Sequence, residues 1–369
     1  MSLLRGYADD LKLLDWLQQK IFPVEQKMTT EDIYWGSLLS IDEMLCSGIT
    51  TCADMYFMMD ATAKAGLDAG MRIALAPGLT ETGDGAGFAR LEGMRSFYET
   101  WNGAGGGLVR VMLGPHAEYT TTPLFLEAVA GLAHDLGVEV HIHVAESAEE
   151  VRGCRERHGL SPVELLHQVG ILDGKVLAAH CVYLDEHDME LLKQHDTRVV
   201  HNPTSNLKLA NGVAPVARLL DLGVTVGLGT DGPASTNRLD LFQESRLASI
   251  LQKSSVDDAS ILPARQAFQM ATLGGARALG WDDQIGSLVA GKQADMVLLD
   301  PGRSDSVWPQ YDLYSQIVYA ADPRAVAAVW VAGRLVVHDG QVLGVDQHEV
   351  RAQVSERARR LTAGDGALA

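Results

Sequence analysis

A parallel α/β barrel with a small antiparallel sheet appended is the fold this sequence predicts, and three observations carry the prediction. Seven strand-like runs alternate with helical patterns between Ile49 and Asp231, many of these runs are rich in Val, Leu and Ala, and reactive side chains stand last in nearly all of them. Apolar strands alternating with helices argue for a parallel sheet buried on both faces. A (β/α)8 barrel spreads its active site over the C-terminal ends of many strands, whereas an open sheet concentrates it at one switch point. His116, His143 with Glu146, His180, His201 with Asn202, and Asp231 are spread in this way, which favours the barrel. A closed barrel of this kind has eight strands; the eighth is expected before Met1.

The elements follow in order. Met1 to Leu11 has the apolar and glycine character of an active-site loop, and Leu13, Leu14, Trp16 and Leu17 begin a helical face. A second helix is expected from Thr30 to Ser47, with Thr30 as N-cap. The strands are ITTCADMYF from Ile49, MRIALAPGL from Met71, VRVMLGPH from Val109, VEVHIHVAES from Val138, KVLAAHCV from Lys175, TRVVHNPTSN from Thr197 and VTVGLGTDG from Val224. Helices are expected between them, for example over Pro123 to Leu136, Val163 to Gln168, Glu186 to Gln194 and Pro215 to Leu222, then over Asp240 to Lys253 and Pro263 to Leu279, the last ending at Gly280 as C′ residue. Beyond Gly286 the pattern turns to short alternating runs separated by Gly333 and Gly340, as in a small antiparallel sheet, and a last helix is expected from His348 to Leu361. The expected division is a barrel over 1–283, a small sheet portion over 284–345, and a helix and tail over 346–369.

Acidic residues outnumber basic ones by 48 to 30, a net charge of -18, which opposes binding to phosphate backbones and anionic membranes; no nucleic acid and no membrane partner is expected. Cys46, Cys52, Cys154 and Cys181 form no CxxC pair, and MSLLRGYADD lacks the charged and apolar regions of a signal peptide, so reduced thiols in a cytoplasmic protein are expected. No apolar run approaches the roughly 20 residues needed to span a bilayer.

The strand VEVHIHVAES ends in chemistry. Val138, Val140 and Ile142 alternate with Glu139, His141 and His143, and the pattern breaks at Ala145 and Glu146, so an imidazole and a carboxylate three residues apart meet just above the sheet. With His180 and Asp231 they make a set suited to a catalytic Zn²⁺ or Fe²⁺, with one carboxylate left to move protons. Singly, each has an ordinary structural reading: His180 in AAHCV as a core histidine, Asp231 in GTDG as a turn cap, Glu146 as the start of a helix. Their joint placement at strand ends argues against coincidence.

The motifs LLRGYADDL (Leu3 to Leu11), TTCADMYF, LGPHAEYT, HIHVAES, AAHCV, HNPTSNLKLANGVAP, GLGTDGPAS and GSLVAGKQADMVLLD occur in an order and over a span that resembles the amidohydrolase superfamily, and within it the 5-methylthioadenosine/S-adenosylhomocysteine deaminases. The resemblance implies a (β/α)8 TIM-type barrel of the metal-dependent hydrolase kind, a small β-sandwich built from both chain ends, and one divalent metal, zinc foremost with iron and manganese as alternatives. It implies that His143 and Asp231 ligate the metal, that Asp231 also takes a proton from water, that Glu146 protonates the purine ring nitrogen, and that His180 orients the attacking hydroxide. For the substrate, a purine nucleoside, it implies that Glu25 bonds the ribose hydroxyls, Trp16 packs against the nucleoside, His116 contacts it and Ser235 lines the rim. From the residues alone, Glu25 in PVEQK reads rather as an exposed first-turn carboxylate, and Trp16 rather as a core residue.

Two departures shape the expectations. The family's HxH pair of metal ligands falls before Met1, and two ligands are few for a tight zinc site. The chain is therefore expected to be a truncated form of a longer enzyme, the alternative being an inactive, metal-free relative. Loss of a barrel strand exposes two edges, so low stability is expected. The amino-acid tail of S-adenosylhomocysteine calls for arginine; Arg90 is the best candidate and Arg5 a weaker one, with no second arginine near Ala76 and Pro77. Methylthioadenosine or adenosine is thus preferred over S-adenosylhomocysteine. A rival reading places the chain with barrels that deaminate guanine or cytosine or hydrolyse chloro-triazines, substrates with no diol for Glu25. Apolar helix surface left over makes a homo-oligomer the expected assembly.

Overall fold

The computed structural model describes residues 1–363. Seven strand positions run through the first two thirds of the chain: β1 (Thr51–Tyr56), β2 (Arg72–Leu79), a third split into β3 (Val109–Val111) and β4 (Gly114–Pro115), then β5 (Val140–Val144), β6 (Val176–His180), β7 (Arg198–His201) and β8 (Val226–Leu228). All pairings among them are parallel and sequential, β1 to β2 to β3 and β4, then β5 to β8. Single bridges from Leu113 to Val140 and from Ala117 to His143 join the two halves into one wall in chain order. Among the described residues β1 and β8 are the ends of this wall and do not pair with each other.

The alternation of β5 settles which side of the wall each residue meets. Val140, Ile142 and Val144 are buried against the surrounding helices, in one cluster with Phe125, Val129, Val163 and Leu166. His141 and His143 take the other face, toward the barrel interior. The helices at Pro123–Leu136 and Glu186–Gln194 have the expected bounds, and others at Met59–Ala69, Ala86–Trp101 and Ala148–His158 complete the alternation. The Gly103 to Gly107 run winds into a short helical turn at Ala104–Gly107 in which Gly105 and Gly106 have positive φ.

Two local details differ from the sequence reading. The helix Thr30–Cys46 is capped by Thr29, not Thr30, because Asp32 stands three residues after Thr29 and returns the bond to its amide, forming a capping box. The run VRVMLGPH is not one strand. The Met112 amide still donates to Leu75 in β2, but the Leu113 amide turns to Glu139, so the ladder is interrupted before β4. Gly114 then passes so close to β2 that a Cβ would lie 2.8 Å from the Pro77 carbonyl oxygen.

The small sheet is antiparallel, in the order β12 (Gln341–Val342), β11 (Arg334–His338), β10 (Val326–Val331) and β9 (Met296–Leu299). Two-residue turns with positive φ at Ala332 and Gly333, and at Asp339 and Gly340, connect its last three strands. Of the run from Gly286, only Met296–Leu299 is strand. The sheet's apolar side, with Val329, Val331, Val336 and Val337, packs against Leu38, Ile41 and Leu45 of the helix Thr30–Cys46 and Val350 of the C-terminal helix Gln347–Leu361. That helix is further fixed by Arg360, whose guanidinium reaches both oxygens of Asp32 at 2.5 Å. The tail 364–369 lies outside the described residues. No described helix is long and apolar enough to cross a membrane.

Candidate active site

At the C-terminal ends of the strands the chain bends sharply, and it does so at or beside the candidate site residues. Ala145, His180, Cys181 and Asp231 have φ of 49°, 73°, 50° and 65°, left-handed conformations that side chains rarely adopt. Each such bend costs on the order of 1–3 kcal/mol and persists because the surroundings hold it. The bends gather the rings of His116, His143 and His180, with centroids 4.8 Å apart for the first pair and 5.4 Å for the second.

Each of these groups is oriented by a partner from elsewhere in the chain. His143 Nδ1 lies 2.7 Å from the His116 carbonyl oxygen, which only accepts, so the hydrogen sits on Nδ1 and the Nε2 lone pair is free. His180 Nδ1 donates to Asn206 Oδ1 at 2.7 Å, which turns Nε2 toward Glu146 Oε2, 3.7 Å away. Glu146 Oε1 accepts from the Asn211 amide at 2.8 Å. Asp231 accepts from Ser205 and Ser235 at Oδ2, both at 2.7 Å, and from the Gly232 amide at Oδ1 at 2.6 Å. Behind Glu146, the carboxylate of Glu150 accepts from the amides of Ala145 at 2.8 Å and Glu146 at 2.7 Å, pinning the turn that aims it.

Burial sets the charges. It pushes His116 and His141 down to about 3 and His143 to about 4, helped by the neighbouring imidazoles, so these rings are neutral and keep a lone pair. Burial also opposes a charge on His180, but the carboxylates of Glu146 and Asp231 outweigh it and raise its pKa. Burial raises Glu146 above the usual carboxylate range, favouring its protonated form. Asp231 is the reverse case: against burial, His180 and the two serine hydroxyls hold it low and ionised. The two carboxylates are thereby shifted in opposite directions, Glu146 up and Asp231 down, the pattern of an acid and base pair.

A cavity of about 1430 Å³ opens on this cluster, with His116, His143, His180, Asp231, Glu25 and Arg90 on its wall. It exceeds the 300–1,000 Å³ of an ordinary ligand pocket because it continues between β1 and β8, past Cys52, Asp54 and Gly227, down to Val297 of the small sheet. Glu25 accepts a hydrogen bond from the Tyr56 hydroxyl at 2.5 Å, and burial raises its pKa despite that bond. It is therefore a cavity group, not the exposed first-turn carboxylate its local sequence allows. His116 Nδ1 is 3.0 Å from Thr120 Oγ1. Arg90 is exposed and bonds the Thr80 carbonyl at 2.6 Å, while Arg5 is tied to Glu43.

Three expected site residues do not reach the cavity wall. Trp16, 4% exposed, lies in an apolar cluster with Leu4, Leu13 and Ile21. Ser235, 1% exposed, is not at a rim; its hydroxyl is consumed by Asp231 and the Gly232 carbonyl. Glu146, 4% exposed, stands behind His180. Conversely, Ser205, Asn206, Asn211, Glu150 and Tyr56 were not singled out by sequence reasoning. The available signal was the motif HNPTSNLKLANG, which supplies three of them.

The donor types suit a borderline divalent cation: an Nε2 lone pair on His143, oriented through its other nitrogen, and an ionised carboxylate on Asp231 held by two hydroxyls. The His141 ring, centred 6.1 Å from that of His143, also belongs to the cavity wall, and its Nδ1 is buried without a hydrogen-bond partner among the described residues.

Comparison with known proteins decides the lineage, since residues 1–336 match the group described as the amidohydrolase family. This chain belongs to the amidohydrolase family. Among its relatives are proteins named 5-methylthioadenosine/S-adenosylhomocysteine deaminase. The one from Moorella thermoacetica is 47% identical over 360 residues, 98% of this chain and 84% of the relative. The one from Thermoanaerobacter pseudethanolicus is 44% identical over 362 residues, again 98% of this chain and 84% of the relative. Among solved structures, an adenosine deaminase from Xanthomonas campestris with bound zinc superposes with a TM-score of 0.92 at 36% identity, covering 98% of this amidohydrolase and 82% of that chain. An atrazine chlorohydrolase from Arthrobacter aurescens complexed with zinc, at a TM-score of 0.88 and 24% identity over 97% of this chain and 83% of its own, shares the fold. The barrel reading is thus established, with the small sheet attached.

Proposed function

We propose that this amidohydrolase is a metal-dependent deaminase that hydrolyses the exocyclic C–N bond of an adenine nucleoside, releasing ammonia and leaving the inosine analogue. The observation that carries the reading is the opposite setting of Glu146 and Asp231 on either side of His180. The names and extents of the relatives support the substrate class. His143 and Asp231 are the donors for the metal, with zinc the ion expected. When bound, the metal supplies the Lewis acidity that makes water a nucleophile near neutral pH.

The chain's own groups do the rest. Ionised Asp231 takes a proton from the attacking water as its oxygen bonds purine C6. Glu146, whose Oε2 Asn211 leaves free but which does not itself line the cavity, is the proton source for the adjacent ring nitrogen, with His180 Nε2, 3.7 Å from that oxygen and on the cavity wall, between them. His180, with Nε2 facing that carboxylate, orients the incoming oxygen. The proton held by Asp231 then passes to the amino group, which departs as ammonia with the C–N electron pair, while the remaining C6 hydroxyl proton is lost to restore Glu146 and the C6 carbonyl forms. Glu25, deep in the cavity and backed by Tyr56, is placed to accept from the ribose hydroxyls.

Among the described residues Arg90 is the single arginine on the cavity wall, and its guanidinium is engaged with Thr80. A carboxylate tail therefore gains one cationic partner, favouring methylthioadenosine and adenosine over S-adenosylhomocysteine. The test is ammonia release by the metal-loaded chain from methylthioadenosine, adenosine, S-adenosylhomocysteine and guanine in parallel. Turnover of the first two with a higher kcat/KM supports the reading; turnover of guanine alone overturns it. Glu25→Gln raises KM for the nucleosides roughly tenfold or more if the diol contact is made.

A further inference from the structure

The end of the barrel opposite the active site carries a second group of metal-ligating side chains. His167 ends the helix Pro162–Gln168, Asp173 ends the short turn Ile171–Asp173 that leads into β6, and His195 follows the helix Glu186–Gln194 on the way to β7. One ligand atom from each lies within 4.8 Å of the other two. The imidazoles of His167 and His195 are 4.8 Å apart at a tilt of 54°, neither stacked nor edge-on, and His195 Nδ1 faces Asp173 Oδ1 at 3.5 Å.

We infer that His167, Asp173 and His195 bind a divalent transition-metal ion of the zinc class, at a site separate from the catalytic one. Two imidazoles and one carboxylate make a donor set that selects zinc, nickel or copper over magnesium and calcium, which take oxygen ligands. Bonds of about 2.0–2.2 Å to a common ion need the donors roughly 3.3–3.5 Å apart. The present spread closes to that by side-chain rotation, since His167 and Asp173 are exposed and free to turn while the half-buried His195 is the anchor. Three protein ligands leave the remaining positions to water. Barrel chemistry takes place at the other end, so the ion's role here is to clip the two loops that feed β6 and β7.

The test is calorimetric titration of zinc chloride into the full chain after chelator treatment, compared with His167→Ala and His195→Ala. Wild type is expected to take up one zinc more than either variant, or to bind its last zinc at least tenfold more tightly, and zinc is expected to raise Tm less in the variants than in wild type. The exposed position of His167 makes H167A the variant that keeps its fold. Equal stoichiometry and equal Kd in wild type and both variants would overturn the site.

Discussion

The side-chain amide of Asn211 donates to Glu146 Oε1 at 2.8 Å, joining residues 65 positions apart. Two neighbours in the same segment act likewise: Ser205 holds Asp231 and Asn206 holds His180. One loop and short helix after β7 thus serves three reactive groups that belong to three other strands.

Replacing Asn211 by leucine is expected to lower kcat by 10–100-fold, the usual effect of losing such a supporting bond. The pH profile carries a more specific signature. In the proposed mechanism Glu146 acts as an acid and must be protonated, so activity is expected to fall as pH rises through its pKa. The Asn211 bond favours the ionised form and works against burial, so removing it moves that fall to higher pH. A profile of kcat/KM that shifts to lower pH would contradict the assignment.

Ser205→Ala and Ser235→Ala each remove one of two donors to Asp231 Oδ2, and each is expected to weaken metal binding by 10–100-fold. The double variant is expected to lose more than either. Dialysis against graded free zinc, with metal content read by elemental analysis, checks the order.

Glu150→Gln tests the turn behind Glu146. Burial, then the charge of Glu146, pushes Glu150 up to about 8, although two backbone amides pull the other way. The folded chain therefore holds this proton more tightly than the unfolded chain, whose carboxyl titrates at about 4.3. Its contribution to stability is present in full below that value and is lost as pH rises through about 8. Denaturant unfolding of wild type between pH 5 and 8 should show this downward slope, and E150Q should flatten it.

Arg72, fully buried, grips Asp295 with two hydrogen bonds of 3.0 and 2.9 Å, and Asp295 also accepts from the Ala332 amide. The pair ties β2 of the barrel to the small sheet. Asp295→Asn leaves the guanidinium buried without its counter-charge and is expected to cost about 3–5 kcal/mol in urea unfolding. Replacing both by apolar residues of similar size is expected to cost less.

Local periodicity made much of the architecture readable. Period-two alternation marks His143, and apolar runs ending in a polar residue mark His180 and Asp231, without knowledge of what surrounds them, because a parallel strand's C-terminal end is where its chain leaves the core. The same local view was too coarse elsewhere. Thr30 and Thr29 are both good caps, and the choice fell to the residue three places on. The split of the third strand came from the partner its amides found, β2 and then Glu139.

Chemical type at strand ends, strand order and the small sheet's turns are encoded in short windows of residues, and the sequence was sufficient for them. The fate of Trp16 in an apolar cluster, the hydroxyl of Ser235 turned to Asp231, Glu25 drawn into the cavity by Tyr56, and the service of Ser205, Asn206 and Asn211 to three different strands were not encoded there. Each depends on where segments tens of residues apart come to rest. Hydrogen bonds and burial are properties of that meeting in space, and the pKa shifts that move Glu146 up and Asp231 down exist only after it.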